Sequence, residues 1–331
     1  MFCLLTNNKL KRMNVTFFKQ NTIALLFYFC SAVSLTAQQS TEKVFNKSFS
    51  FRTDNDAYLF IYNDAYYTNG FFLNYSFAKS KNDLKQIHSF ELSQKIYTPL
   101  ARVVVTPADI DRAYCGYLNL NYTQTAFLKK EALIQYSGSL GVVGPASWGQ
   151  GMQETYHTLL RYAQFYGWEY QIGNSLTADA GLTYAKTIAE NNWTKLIPVG
   201  QVNLGTTYTN AKLGAMLVAG AFEKNAASVL WNARIADKQS GNKKEYELFV
   251  YWFPQIIAQG YNATIQGGLL GSSPKAVTQS LAPVMLQSAI GVCFAEKRTS
   301  CRLEYVFQSK ETPSQIKDQR YIGFQLAYQF N

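Results

Sequence analysis

Apolar and polar residues alternate with period two along most of this chain, the pattern of strands whose two faces meet different surroundings. Phe71, Leu73, Tyr75 and Phe77 alternate with Phe72, Asn74 and Ser76, and Leu133, Gln135 and Ser137 with Ile134, Tyr136 and Gly138. Tyr246, Leu248, Val250 and Trp252 form another set. A last segment, Tyr321 to Asn331, carries Phe324, Leu326, Tyr328 and Phe330 on one face. The stretches that read as strands lie at 47–53, 70–78, 87–97, 114–127, 131–143, 175–187, 197–208, 211–222, 244–253, 260–271, 284–296, 300–309 and 319–330. They number thirteen. Single-chain bacterial membrane barrels use even numbers of antiparallel strands, so the pattern predicts about twelve and one surplus stretch.

Connections sort by length. Lys79–Asp83 and Leu128–Lys130 are short and polar, whereas 54–69, 98–113 and 144–174 are long. Membrane barrels have short periplasmic turns and long external loops. If the first strand runs outward, all three long connections reach the outer rim, with short helical segments among them. The expectation is an all-β protein, a transmembrane antiparallel β-barrel, with no linker, composition shift or internal repeat dividing it.

Composition supports a membrane rather than an aqueous setting. Tyr and Phe contribute 23 and 22 residues, and charged residues are only 16%. Aromatic girdles, an apolar outer band and a sparse polar lumen account for that balance. At the start, Lys9, Lys11, Arg12 and Lys19 precede an apolar run from Thr22 to Val33, and Leu35-Thr36-Ala37 offers a small-residue cleavage site. Residues 1–37 therefore read as a secretory signal peptide and 38–331 as the barrel, placed in the outer membrane. The net charge of +10 fits either a solvated basic surface or attraction to a phosphorylated glycolipid. An exported chain with no basic, aromatic-interleaved module is a poor nucleic-acid binder. Cys293 and Cys301 flank a hairpin turn at 296–299, which allows either a cross-strand disulfide or two separate wall thiols.

The chain has two histidines. His88 stands in an alternating strand, as a lumen or packing residue. His157 lies four residues after Gln153, beyond the turn Gly141-Val142-Val143-Gly144-Pro145-Ala146-Ser147. The strand count brings Asn55, Asp56 and Thr68 to the same rim, with Lys95 near the outer end of the third strand. No G-x-S-x-G elbow, H-E-x-x-H or paired-cysteine metal motif is present, and nothing marks Ser147 as a nucleophile. The economical chemistry left is a histidine base acting on water, with a cation or amide donors for the oxyanion. Asp54 and Asp56 are hard oxygen ligands of the kind calcium takes.

Five motifs then fall in one order: Asp54-Asn55-Asp56, Tyr66-Tyr67-Thr68-Asn69-Gly70, Gln94-Lys95-Ile96-Tyr97-Thr98-Pro99, Asp111 to Leu118, and Gly141 to Ser147, ending at Gly167-Trp168 and Gln171. The series resembles the LpxR family of outer-membrane lipid A 3′-O-deacylases over residues 54–171; the second half matches only as barrel. The resemblance implies a twelve-stranded barrel that removes the 3′-linked acyloxyacyl group of lipid A, or lipopolysaccharide, among outer-membrane lipids in a Ca2+-dependent ester hydrolysis; a monomer is the separate expectation for its assembly. It puts His157, Asn55, Asp56, Thr68, Gln153 and Lys95 in the catalytic set, with Asp56 as a calcium ligand. The chain departs from the family pattern at Gly173-Asn174-Ser175, where an acidic residue is expected, and in the external segment 148–166. Other readings are a barrel of this kind that binds lipid without hydrolysis or cuts another lipid ester, and more remotely a porin.

Overall fold

A computed structural model of the chain describes residues 44–59, 65–82, 84–236, 246–271 and 273–331. The leader expected over residues 1–37 lies outside them. Twelve long antiparallel strands form the wall: β1 Lys47–Asn55, β2 Tyr66–Lys81, β3 Leu84–Thr98, β4 Cys115–Leu128, β5 Ala132–Val143, β6 Ser175–Lys186, β7 Thr194–Gly205, β8 Tyr208–Ala221, β9 Tyr246–Asn262, β10 Val284–Glu296, β11 Thr299–Gln308 and β12 Gln319–Phe330. Each pairs with its neighbour in sequence, and the last closes on the first, Lys47 opposite Phe330 through Asn55 opposite Ile322. A two-residue strand, Ala189–Glu190, adds to β7 beside the barrel. Closure leaves no unpaired edge, which a hydrocarbon surrounding would not tolerate. No helix among the described residues is long and apolar enough to cross a membrane; the strands are the crossing elements.

Alternation divides the wall into two faces. Outside stand Phe51, Leu73, Leu92, Leu120 and Leu140, directly opposite one another across five strands. All are exposed, Leu140 to 71%, which identifies the outward face as the apolar band. Facing inward at the neighbouring register are Arg52, Phe72, Ser93, Asn119 and Gly141. Near the ends of β1–β4 away from the long loops, Tyr75, Phe77, His88, Tyr122 and Phe90 form a chain of ring contacts. His88 is a packing residue of this aromatic girdle, its Nδ1 2.7 Å from the Tyr122 hydroxyl.

Two expectations change. The surplus stretch is 260–271: β9 runs on to Asn262, and a short helix, Ala263–Gln266, follows it. The strand expected to stop at 253 continues, because Pro254 interrupts only one side of it. The ladder to β8 skips Phe253 and Pro254, and the ladder to β10 continues through Pro254 opposite Ser288. Proline lacks the N–H that a second ladder would need. Cys293 and Cys301 are not joined. Cys293 lies opposite Arg302 and Cys301 opposite Phe294, a one-residue offset that puts the two sulfurs on opposite faces of the wall.

The connection after β8 is long as well, and it lies at the end opposite the long loops. Residues 222–236 enter the lumen there, burying Val229, Leu230, Ala233 and Ile235 against Ile87, Leu133, Ile197, Phe249 and Cys293. Charged lumen residues from separate strands hold its backbone. Lys85 donates to the carbonyls of Ala226 and Ala233 at 2.6 and 2.7 Å, and Arg302 to those of Val229 and Leu230 at 2.8 and 2.9 Å. Glu247, fully buried, accepts from Val229 N, Ser228 Oγ and Arg234 Nη1. A lumen filled this way is not a porin's aqueous channel. Purified protein in planar lipid bilayers is therefore expected to show no steady ion conductance; a sustained open level would mean that the segment does not seal the barrel.

Candidate functional site

The site is built on the outward face of β1–β4 at the rim where β1 ends. Asn55 closes β1 with its side chain 2% exposed. Its Oδ1 accepts from Ala57 N at 2.7 Å, and its Nδ2 donates to Asn69 Oδ1 on β2. A backbone N–H can only donate, so these bonds fix which way the Asn55 amide points. Asp56, 3% exposed, accepts from Ala65 N at 2.7 Å and from Thr68 Oγ1 at 3.5 Å. Thr68 is the extra residue of a bulge: Tyr67 lies opposite Tyr97, but Asn69 lies opposite Ile96. A bulge re-aims a side chain and is common at barrel rims. Strand β2 thus begins at Tyr66, four residues before the expected start, and Thr68 sits inside it. A cleft of about 330 Å³ opens beside Asp56, lined also by Tyr66, Leu100, Lys317, Asp318 and Arg320.

Helix α1, Gly149–Leu160, lies against this wall. Its seat is set by two glycines in contact. A Cβ on Gly116 would stand 2.1 Å from Ser147 Oγ and 2.8 Å from Gly149 Cα. The turn leading in needs Gly144, at φ +92°, where a Cβ would meet the Gly173 carbonyl at 2.6 Å. Gln94 on β3 donates to the Ser147 carbonyl at 2.6 Å, and Ser147 Oγ donates to the Gly144 carbonyl at 2.6 Å. The buried Ser147 hydroxyl is therefore a structural donor. Asn174, within the segment Gly173-Asn174-Ser175 where the resemblance leads to the expectation of an acidic residue, accepts from Ala146 N at 2.7 Å. An amide oxygen fills that acceptor position, and the turn stands without a carboxylate.

Gln153 and His157 are both 1% exposed and share the helix face turned to the wall. The Nδ1–H of His157 donates to the Ala163 carbonyl at 2.7 Å. A carbonyl only accepts, so Nδ1 carries the proton and the basic lone pair is on Nε2. Phe165, Tyr162 and Tyr156 surround the ring at centroid distances of 5.8, 5.8 and 6.4 Å. Tyr156 also meets Phe71 of β2, while Phe165 packs in one cluster with Ile96 of β3, Tyr114 and Trp168. Through these contacts α1 is packed over β3 and over β2, the strand that carries Thr68 and Asn69.

Two acidic or basic candidates face the other way. Lys95 is on the lumen side of β3, its ammonium 6.0, 5.9 and 5.7 Å from the ring centres of Phe72, Tyr117 and Tyr208. Its neighbours Gln94 and Ile96 face α1, so the wall separates Lys95 from His157. Asp54 also faces the lumen, bonded to Arg52 at 2.7 Å and to the Tyr67 hydroxyl at 3.0 Å. It does not stand beside Asp56 as a second oxygen ligand. Period two explains Lys95, which is one residue from Gln94 and Ile96 and so takes the opposite face; Asp56 lies past the end of β1, where the alternation that turns Asp54 inward no longer applies.

The model of the outer membrane protein LpxR family matches residues 23–330. The chain belongs to the LpxR family. Among solved structures it is similar to LpxR from Salmonella typhimurium, with a TM-score of 0.70 at 19% identity, covering 86% of this chain and 100% of that one. The β domain of the Bordetella autotransporter BrkA follows, with a TM-score of 0.45 at 9% identity over 87% and 99% of the two chains. No curated protein sequence matches. The family and the closed barrel place the chain in the outer membrane.

Some residues that build the site lack a role in the sequence reading. Asn69 lies inside a recognised motif but becomes a partner of Asn55 only when β1 and β2 pair. Gln94 and Gly116 likewise acquire their roles from the docking of α1. The expected calcium can be weighed against the donors present. Asp56 and Thr68 supply oxygens only, of the hard kind calcium prefers. No cluster of three acidic, histidine or cysteine residues occurs among the described residues. The donor set fits calcium in kind and would need backbone or water oxygens to complete it.

Proposed function

We propose that this barrel is a lipid A 3′-O-deacylase, an ester hydrolase that removes the 3′-linked acyloxyacyl group from lipid A in the outer membrane. The observation that carries the reading is His157, buried against the lipid-facing side of the wall with its Nδ1–H held by the Ala163 carbonyl, in a chain of the LpxR family. A base on that face meets a lipid ester without the lipid entering the lumen. In this reading the rim faces outward, where lipid A resides, and the protein acts as a monomer.

His157 Nε2 takes a proton from water as the water oxygen attacks the ester carbonyl carbon. The carbonyl π electrons move to oxygen, giving a tetrahedral oxyanion. Its collapse breaks the bond to the sugar 3′-oxygen, and the imidazolium returns its proton to that leaving oxygen. The products are a 3′-hydroxyl lipid A and a free acyloxyacyl carboxylic acid, which releases its proton to water and leaves as the carboxylate. Asn55 and Gln153 supply amide donors for the oxyanion. Asp56, with Thr68, would hold Ca2+, which when bound contributes positive charge for the developing oxyanion. Lys95 lies across the wall and takes no part.

The test is the lipid A mass spectrum of a lipid A-producing host that expresses the protein, recorded with calcium or with a chelator. Loss of the 3′-acyloxyacyl mass is expected with calcium and not with chelator. Full-length lipid A under both conditions would end the deacylase reading, and cleavage unaffected by chelator would remove the calcium.

A further inference from the structure

We propose that Trp168 is a positioning residue: its indole N–H sets the direction of the Gln153 amide, so that the Gln153 NH2 is presented as a donor beside His157. This rests on the ester-hydrolase reading above and deepens it.

The argument starts from one bond. Trp168 Nε1 lies 3.0 Å from the Gln153 side-chain oxygen, and both residues are buried, at 3% and 1% exposure. Indole nitrogen donates and never accepts, so the atom it meets must be the amide oxygen. The ordinary ambiguity of a glutamine amide is thereby removed, and the NH2 must point to the other side. Gln153 Nε2 is buried and has no hydrogen-bond partner in the structure. A buried, unmet NH2 is costly and calls for an explanation. Gln153 lies one helical turn before His157 on the same face, where an ester oxyanion would form next to the base.

Trp168 is itself held firmly. It opens the short 3-10 helix Trp168–Tyr170, its ring centre lies 4.9 Å from that of Tyr114, and its carbonyl accepts from Gln171 N. The indole is therefore a fixed donor, and it orients the amide before substrate arrives. Preorganised donors do not have to turn during the reaction, which is why they stabilise a developing charge well.

A double-mutant cycle tests this on the full-length protein in detergent or vesicles containing lipid A. Gln153→Ala should lower kcat by about 10²–10³-fold, the usual effect of removing one oxyanion donor. Trp168→Phe keeps a ring against Tyr114 but loses the N–H together with part of the buried indole volume, and the Gln153→Ala background separates the two losses. The substitution should lower kcat in part, leave KM unchanged, and cause no further loss in the Gln153→Ala background. A wild-type kcat for Trp168→Phe, or an equal loss with and without Gln153, would overturn the proposal in favour of a packing role. Gln153→Glu is the second variant: it can still accept from Trp168 but cannot donate, and should be as impaired as Gln153→Ala. Full activity of Gln153→Glu would also overturn it. The indole N–H resonance of Trp168 in 15N-labelled protein should shift in Gln153→Ala whether or not lipid A is cleaved. An unmoved resonance would refute the positioning contact itself, whereas a silent wild type with a shifted resonance would refute only the deacylase reading.

Discussion

His157→Ala is expected to lower lipid A deacylation by about 10²–10⁴-fold, the range that a positioned general acid–base contributes. The barrel itself should fold unchanged, because His157 belongs to α1 on the outside of the wall and not to the closed sheet. Only the pocket formed by Tyr156, Tyr162 and Phe165 loses its occupant. Folding can be judged from the heat-dependent gel mobility of the barrel, and activity from the lipid A mass spectrum. His157→Gln, which retains more side-chain volume, separates the missing base from the empty space. Wild-type loss of the acyloxyacyl mass in both variants would take the role of base away from His157. Activity restored by glutamine alone would show that His157 packs and does not react.

Gly116→Val should cost nearly as much activity while leaving every reacting group chemically intact. The closest atoms to a new Cβ at this position are Ser147 Oγ at 2.1 Å, Gly149 Cα at 2.8 Å and Gly149 N at 2.9 Å. Two of the three are backbone of the helix start, so relief requires α1 to lift from the wall. Catalytic geometry is unforgiving of such a shift: displacement of about 1 Å remote from the chemistry can cost 10²-fold. Gly151→Ala is the matched control on the same helix, since a Cβ there meets nothing within 4 Å. It should keep full activity, and alanine in a helix is favoured over glycine by roughly 0.5–1 kcal/mol. Equal activity of Gly116→Val and Gly151→Ala would show that the seating of α1 does not govern the site.

Much of this molecule follows from local rules that a sequence displays. Each strand must repeat the same two-residue alternation to stand between lipid and lumen, so the pattern is written along the whole chain and survives without reference to any partner. The barrel class, its strand number and the aromatic last strand are legible for that reason. The rim motifs are legible too, because Asn55, Asp56 and Thr68 lie in short runs whose order matches the LpxR pattern, and Gln153 and His157 stand out by their four-residue spacing after the last of those runs. Period two even contains the fact that Lys95 and Ile96 take opposite faces, but not which of them faces α1.

What only the tertiary structure decided are relations across the wall and between distant segments. The bulge at Thr68 shifts the register by one residue, and a one-residue shift exchanges the faces. That shift re-aims Tyr66 and Tyr67 beyond the bulge, while the landing of α1 on Gly116 brings His157 to the outward face that Asn55 and Asn69 share and that Lys95 and Asp54 do not. Loop residues 222–236 have no periodicity to announce a plug; they become one because Lys85, Glu247 and Arg302 project from separate strands to meet their backbone. Alternation is a property of one strand and is visible in one sequence, whereas register and docking depend on the fit between two surfaces, which exist only once the barrel has closed.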